Sequence, residues 1–356
     1  MPNSELMPIG VFARRSGLTS SALRFYADAG LLSPAEVDPA SGYRYYSADQ
    51  VARATLLRGL REIGMPLSTV RTVLDAAPAD ASRLIDEHVA SLLADAAAAR
   101  LTATAIQGAL ATGPGLPLAT LKGPVLADAV EQVLTATAHD VTLPVLGGLR
   151  VEVTREAITL TATDRYRLST RTLVPAEPAG TVWAATVDGD DLRAAVAELR
   201  RSAVVRLEAT PHGLRLRGTG QAGRHCRVLA EEFPDIGLML DSLDEVTTRV
   251  AVSKDVFLRA LEQHPGDRIT LRATDRGLAV LAADGTSRDA GLPARVTGHD
   301  LRISFELTTL YPAVSTAVGP DLLIDLRGTA QPATIRSADR GDLTTWAMPV
   351  RTGCSG

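Results

Sequence analysis

Arginine and tyrosine are the side chains whose types and spacing point most directly to chemistry here, and that chemistry is the binding of polyanions. Residues 1–74 carry eight arginines (Arg14, Arg15, Arg24, Arg44, Arg53, Arg58, Arg61 and Arg71) and no lysine against six acids, a balance of +2. The rest of the chain holds 29 basic and 35 acidic residues, a balance of −6. A phosphate-binding surface therefore belongs at the N-terminus. Catalysis has little support. His139, His212, His225, His264 and His299 are scattered, with no Ser/His/Asp or HExxH spacing. Asp188, Asp190 and Asp191 stand where a helix begins, and acids there favour the helix dipole without any metal. Two cysteines, Cys226 and Cys354, exclude a disulfide framework and a four-thiolate zinc site within one chain. The expectation is a binding protein, not an enzyme, with no cofactor and no metal.

The elements that position these residues follow from length and patterning. The chain has 356 residues, 46% hydrophobic and 22% charged, enough for two or three domains with sizeable cores. Aromatics are only 4%, so those cores rest on Ala, Val and Leu. No run of about 18 apolar residues occurs, and MPNSELMPIG lacks a secretory pattern, so a reduced, cytoplasmic protein without a membrane span is expected. Residues 9–16 read as a short amphipathic helix. Gly17-Leu18 makes a turn, Thr19 or Ser20 caps a second helix, and Gly30 ends it. That is helix-turn-helix spacing, with the second helix the candidate for a major groove. Leu18, Ala22, Leu23 and Phe25 are expected in the core, leaving Ser20, Ser21, Arg24 and Tyr26 outward. Pro39 and Gly42 form a hairpin tip, and Tyr43-Arg44-Tyr45-Tyr46 a cationic, aromatic wing. Tyr45 can equally pack beneath it. A second helical pair covers 47–60 and 66–74, with Ser47 and Gln50 in a capping-box pattern.

These residues resemble the MerR family of transcription regulators. The match runs through Ile9-Gly10 with Ala13, Leu23-Arg24-Phe25-Tyr26, Gly30-Leu31-Leu32, Ser41-Gly42-Tyr43-Arg44-Tyr45-Tyr46 and Leu60-Arg61-Glu62-Ile63-Gly64-Met65-Pro66-Leu67. The resemblance implies that Ser20, Ser21, Arg24 and Tyr26 face bases and phosphates. It implies that Tyr43, Arg44 and Tyr46, with Arg61, clamp the flanking backbone. After Pro78 an Ala-rich stretch carries Ile85, Val89, Leu92, Ala96, Ala99, Ala103, Ile106 and Leu110 at alternating spacings of four and three. Such a heptad seam suits a coiled coil. MerR proteins dimerise in this way, so the resemblance implies a homodimer on double-stranded promoter DNA, working with RNA polymerase. A helix packed on its own C-terminal region is the alternative.

The remaining residues are repetitive. Residues 206–216 resemble 270–280, both strand–turn–strand, and 151–160 and 322–335 share the shape more loosely. A helix precedes each hairpin, near 124–138, 188–201, 253–264 and 308–318. Four strand–helix–three-strand units result, paired into two domains. This duplication resembles the bacterial DNA polymerase β sliding clamp, whose second and third domains it would cover. The residues are Leu143-Pro144-Val145-Leu146-Gly147-Gly148-Leu149, 161–168, Glu232-Phe233-Pro234-Asp235 and 346–351. The resemblance implies an apolar groove between the two domains that takes peptide motifs and certain peptide antibiotics. Carried over, it would hold Leu146, Thr163, Arg165, Tyr166, Leu168, Pro234, Leu238, Met239, Met348, Pro349 and Val350. Clamps usually have Gly-His where this chain has Arg165-Tyr166, and often Arg at Leu238. The same residues can instead simply close the interdomain core. The helices that would line a clamp channel carry eight acids against five bases, the wrong sign for DNA.

The expected fold class is α+β. Residues 1–78 form an all-α winged helix-turn-helix domain, 79–115 a dimerisation helix and linker, 116–244 a clamp-like domain of the second type and 245–356 one of the third. The expected function is a ligand-responsive regulator that binds and distorts promoter DNA, its clamp-like part sensing a peptide-like molecule such as a clamp-directed antibiotic. The competing expectation is a DNA-bound adaptor or clamp decoy that recruits replication or repair proteins.

Overall fold

The computed structural model describes residues 6–110, 115–140, 142–177, 180–218, 223–282, 291–338 and 341–350. Two compact units make up the chain, 1–102 and 103–356. Among the described residues no helix is long and apolar enough to cross a membrane.

The first unit runs β1 (Leu6–Pro8), α1 (Ile9–Ser16), α2 (Ser20–Asp28), β2 (Glu36–Val37), β3 (Arg44–Ser47), α3 (Gln50–Glu62), α4 (Leu67–Asp75) and the start of α5 (Pro78–Leu110). Helix α1 buries Ile9, Phe12, Ala13 and Ser16, the one-face spacing of an amphipathic helix. It stops because Gly17 takes φ +72°, letting Leu18 N–H reach back to the Ala13 carbonyl at 3.1 Å. Thr19 caps α2 by accepting from Ala22 N–H at 3.1 Å. Gly30, at φ +67°, closes α2 while Leu31 N–H returns to the Tyr26 carbonyl at 2.9 Å. Strand β3 pairs with both β1 and β2 to make the wing. Gln50 accepts from Ser47 N–H at 3.0 Å, the return half of the capping box.

Two aromatic expectations reverse in this unit. Phe25, expected in the core, is 54% exposed, and Tyr26, expected outward, is buried at 9%. The reason is helical parity: Tyr26 lies three residues after Leu23, and both face α1 and the wing. Tyr46 is fully buried, with its ring stacked on Phe12 at 4.7 Å and its hydroxyl on the Leu23 carbonyl at 3.3 Å. Alternation along β3 then leaves Tyr45 half-buried.

The second unit runs β4 (Leu116–Lys122), α6 (Gly123–Leu134), β5 (Gly148–Val153), β6 (Ile158–Thr163), β7 (Arg167–Leu173), β8 (Trp183–Asp188), α7 (Gly189–Arg201), β9 (Val204–Thr210), β10 (Gly213–Gly218) and β11 (Arg224–Arg227). After α8 (Ile236–Asp241) come β12 (Thr248–Ser253), α9 (Lys254–Glu262), β13 (Arg268–Thr274), β14 (Gly277–Ala282), β15 (Gly291–Leu292) and β16 (Ala294–Gly298). The last elements are β17 (Leu301–Glu306), α10 (Leu307–Ser315), β18 (Asp321–Leu326), β19 (Ala333–Ser337) and β20 (Leu343–Ala347). Each strand that precedes a helix joins its neighbour's sheet: β4 pairs β9, β8 pairs β5, β12 pairs β18 and β17 pairs β13. That exchange welds the repeated units into two pairs, each with its own apolar core. Strand β20 then pairs with β7, so strands from both pairs form one nine-stranded sheet ordered β16-β12-β18-β19-β20-β7-β6-β5-β8.

At the β6–β7 turn, Arg165 has φ +76°, the sole non-glycine with positive φ among the described residues. A side chain there costs about 1–2 kcal/mol relative to an ordinary φ. Thr163 Oγ1 accepts from Arg165 N–H at 3.2 Å, and Asp164 Oδ1 from Tyr166 N–H at 3.0 Å, which hold the turn. The tripeptide Thr-Asp-Arg recurs at the end of β13 in a tighter turn, where Thr274 accepts from Arg276 N–H at 3.3 Å and Gly277 rather than the arginine takes the positive φ.

Two expectations follow. Tyr46→Ala should destabilise the first unit by about 3–5 kcal/mol, as large aromatic deletions do, whereas Tyr46→Phe should cost only about 1 kcal/mol for the hydroxyl. Thermal unfolding followed by circular dichroism separates the two. Arg165→Gly should be about 1 kcal/mol more stable than Arg165→Ala in urea titration, because both lose the side chain and only glycine relieves the φ.

Candidate nucleic-acid interface and ligand pocket

In the first unit the exposed side of α2 presents Ser21, Arg24 and Phe25, with Ser20 half-buried at the helix start. Arg44 on β3 is anchored to this helix. Its Nη1 donates to the Arg24 carbonyl at 3.2 Å and its Nη2 to Asp28 at 3.0 Å. The wing and α2 thus form one basic, aromatic surface with exposed Tyr43 alongside, 5.5 Å from the Tyr45 ring. Arg61 is exposed and donates to the Met65 carbonyl, which orders the turn between α3 and α4. The geometry brings Ser20, Ser21, Arg24, Tyr43 and Arg44 toward one face and withdraws Tyr26 and Tyr46 from it. It adds Phe25, whose apolar character had marked it as core.

The seam on α5 divides. Ile85 packs on the core of the first unit. Val89, Leu92, Ala96, Ala99, Ala103 and Ile106 are exposed. The Leu110 side chain lies outside the described ones.

In the second unit a pocket of about 180 Å³ lies where β6, β7 and β20 meet the segment entering α8. Seven of the eleven groove residues line it: Thr163, Arg165, Tyr166, Leu168, Pro234, Met239 and Met348. Leu146 does not, being 2% exposed in the turn at Pro144–Gly147 with its carbonyl taken by Ala138 N–H at 2.9 Å. Leu238, on the other side of α8, is 72% exposed. Pro349 and Val350 lie past the lining, where Val350 N–H donates to the Ser304 carbonyl at 2.8 Å. Sequence reading missed Trp346, Pro332, Ile236, Asp235 and Arg167. Trp346 was findable, since it sits two residues before Met348 and on the same side of an alternating strand.

Two ion pairs and one further acid, Asp235, which accepts from Gly237 N–H at 3.0 Å, set the pocket's polarity. Arg167 is held by Asp164 at 2.6 Å, both nearly buried. Arg165 reaches Asp140 at 2.9 Å. Thr142, first, and Arg165, last, hold the Asp140 carboxyl below its usual range. Tyr166 stays mostly exposed, its carbonyl accepting from Met348 N–H at 2.8 Å. An apolar floor of Leu168 and Trp346 under adaptable Met239 and Met348 accepts bulky apolar side chains.

Cys226 is buried and its thiol is pushed well above the usual range by that burial. Among the described residues no group of three or more His, Cys, Asp or Glu could hold a metal ion.

Comparison with known proteins agrees with this division. Residues 7–77 match the MerR HTH family regulatory protein model, and 120–235 match the central domain of the DNA polymerase III beta subunit. The regulator CueR of Yersinia pestis is 38% identical over 87 residues, 24% of this chain and 62% of that protein. The Beta sliding clamp of Streptomyces coelicolor is 29% identical over 248 residues, and the match spans 62% of each chain. The Pseudomonas aeruginosa sliding clamp solved bound to griselimycin superposes with a TM-score of 0.61 at 18% identity, covering 67% of this chain and 66% of that one. At that identity the likeness speaks for the fold alone. The chain carries a MerR helix-turn-helix domain at its N-terminus and, in the same polypeptide, a DNA polymerase III beta clamp domain behind it.

Proposed function

We propose that the chain is a homodimeric transcription regulator that binds and distorts promoter DNA through its MerR domain and senses a peptide-like molecule through its clamp-like region. The observation that carries the reading is the pocket of Leu168, Trp346, Met239 and Met348, present in a chain that also has a DNA-reading head. The griselimycin-bound clamp has the same fold, which makes a clamp-directed cyclic peptide the first ligand to test. A sensor built on the antibiotic's own target fold inherits its selectivity.

The helices support sensing over DNA encirclement. Arg200 on α7 is taken up by Asp128 at 2.6 Å and Glu131 at 2.7 Å on α6, and Arg193 by Asp190 at 2.8 Å. Lys254 Nζ donates to the Ala317 carbonyl at 2.7 Å. Dimerisation would proceed through the exposed row on α5, with Ala96, Ala99 and Ala103 allowing close approach at its centre. By the family resemblance the dimer would twist a promoter with an overlong spacer until polymerase engages both elements. Such distortion costs roughly 1–6 kcal/mol and is repaid by protein contacts.

Ala99→Glu should yield monomers that lose operator binding. Light scattering at micromolar concentration reads this, and an unchanged mass removes the seam from the interface. Arg24→Ala should stay folded and lower the salt slope of log K by about one if a phosphate contact is lost. Griselimycin at a hundred times its dissociation constant should stabilise the protein by about 2.7 kcal/mol. Leu168→Asp should abolish that shift while operator binding persists. Calorimetry showing no binding by any of a panel of clamp peptides and antibiotics, to folded and DNA-competent protein, would leave the pocket as interdomain core.

A further inference from the structure

The pocket residues Thr163, Leu168 and Trp346 begin a row of side chains that crosses one face of the nine-stranded sheet. Thr163 pairs with Leu168, Leu168 with Trp346, Trp346 with Thr334, Thr334 with Asp325 and Asp325 with Arg249. This face is opposite the core, which takes the alternate residues Val250, Ile324, Ile335 and Ala347. With strands about 4.8 Å apart, Asp325 stands roughly 10 Å from Trp346. Asp325 is 2% exposed and accepts from Arg249 Nε at 2.6 Å and Arg336 Nη2 at 2.7 Å. Arg327, in the same hairpin as the pocket residue Pro332, donates to Thr334 Oγ1 at 2.7 Å. Two guanidinium groups therefore pair with one buried carboxylate while a third stands nearby, a local excess of positive charge beside a pocket whose lining pairs both of its arginines and adds the acid Asp235. Asp244 stands near the hairpin tip and accepts from Gln331 at 3.0 Å. Burial lowers the Arg327 pKa, and Arg336 and Arg249 add to the effect against the opposing pull of Asp325. An anion would relieve that crowding.

We infer that Arg249, Arg327 and Arg336 form a second subsite of the pocket that takes a carboxylate from a peptide-like ligand whose apolar part fills the space between Leu168, Trp346 and Met348. This rests on the ligand-sensing reading above and extends it to the ligand's charge. The spacing suits it. Roughly 10 Å is the reach of three extended residues, so one short peptide spans both subsites. Guanidinium groups held on strands by a buried carboxylate are also preorganised for paired contact with a carboxylate. A nucleic-acid backbone fits less well, because it would leave the adjoining apolar pocket unused.

The test uses the full-length protein and three synthetic probes with blocked termini. One is a pentapeptide of Leu and Phe; the others carry two added Asp residues at the N- or C-terminal end. In calorimetry at low salt, one acidic probe should bind about tenfold tighter than the neutral one, roughly 1.4 kcal/mol. The gain should shrink severalfold near 1 M salt, where the screening length falls to about 3 Å. Arg336→Gln should remove the gain and leave the neutral probe's affinity within about twofold, since that probe does not reach the row. Arg327→Gln, which leaves both Asp325 pairs intact, is the second variant should loss of Arg336 upset the fold. Equal binding of neutral and acidic probes, or a gain that survives high salt and both variants, overturns the subsite while the pocket stands. Failure of all three probes removes the pocket reading and the subsite with it. Competition by a short DNA duplex that depends on Arg336 would overturn the peptide assignment in favour of phosphate.

Discussion

The pairing of β20 with β7 is the contact on which the second unit depends. Five residue pairs, from Leu343 opposite Arg171 to Ala347 opposite Arg167, splice two of the repeated units into one sheet. The splice is polar as well as hydrogen-bonded. Ser169 and Thr345 share a hydrogen bond of 2.6 Å, and Arg171, almost wholly buried, holds Asp342 at 3.0 Å and Gln132 at 2.8 Å. A buried guanidinium released from its partners would cost several kcal/mol, so the seam has one stable register. That register places Trp346 against Leu168 and Met348 beside Tyr166. Strand pairing thus makes one wall of the pocket, and the segment entering α8 makes the other.

Much of this was legible because the signals were local and periodic. The turn glycines Gly17 and Gly30, the Thr19 cap and the Ser47–Gln50 pair were visible one by one, and each acts as its chemistry requires. The four helices fell within a few residues of their observed spans, since each follows directly on a strand, with Gly123, Asp188 and Ser253 marking three of the starts. What failed was side choice between adjacent aromatics. Phe25-Tyr26 and Tyr45-Tyr46 each contain one inward and one outward ring. Composition favours burying phenylalanine, yet the buried member is the tyrosine, whose hydroxyl at position 46 has the Leu23 carbonyl to satisfy it. Only the three-dimensional path of the wing reveals that partner.

The site in the second unit was legible to the extent that it lies on contiguous motifs. Thr163, Arg165, Tyr166 and Leu168 come from one octapeptide, and Pro234 and Met348 from two others. Pro332 and the Arg249–Asp325–Thr334 row could not be read in this way, because they become neighbours only through strand order. Residues 254–320 separate β12 from β18 and a short hairpin joins β18 to β19, and sequence spacing carries no record of which strands become neighbours.

The helical side and the outer sheet of the clamp-like region differ in physical character. On the helical side, Arg200 bridges two carboxylates across α6 and α7, and Arg224 of β11 holds Glu198 of α7 at 3.1 Å. A phosphate backbone approaching them would compete with acids already in place and lose most of the counterion-release advantage that drives DNA binding. On the outer sheet Thr334 and Asp325 are buried, Trp346 is half-buried, and Arg249 and Arg336 both pair with Asp325. Keeping an arginine at φ +76° costs stability that glycine would not, and the side chain so placed stands at the rim of the pocket, tethered to Asp140. Strain retained beside a pocket, where a glycine would remove it, is what a site tuned for its own ligand would show.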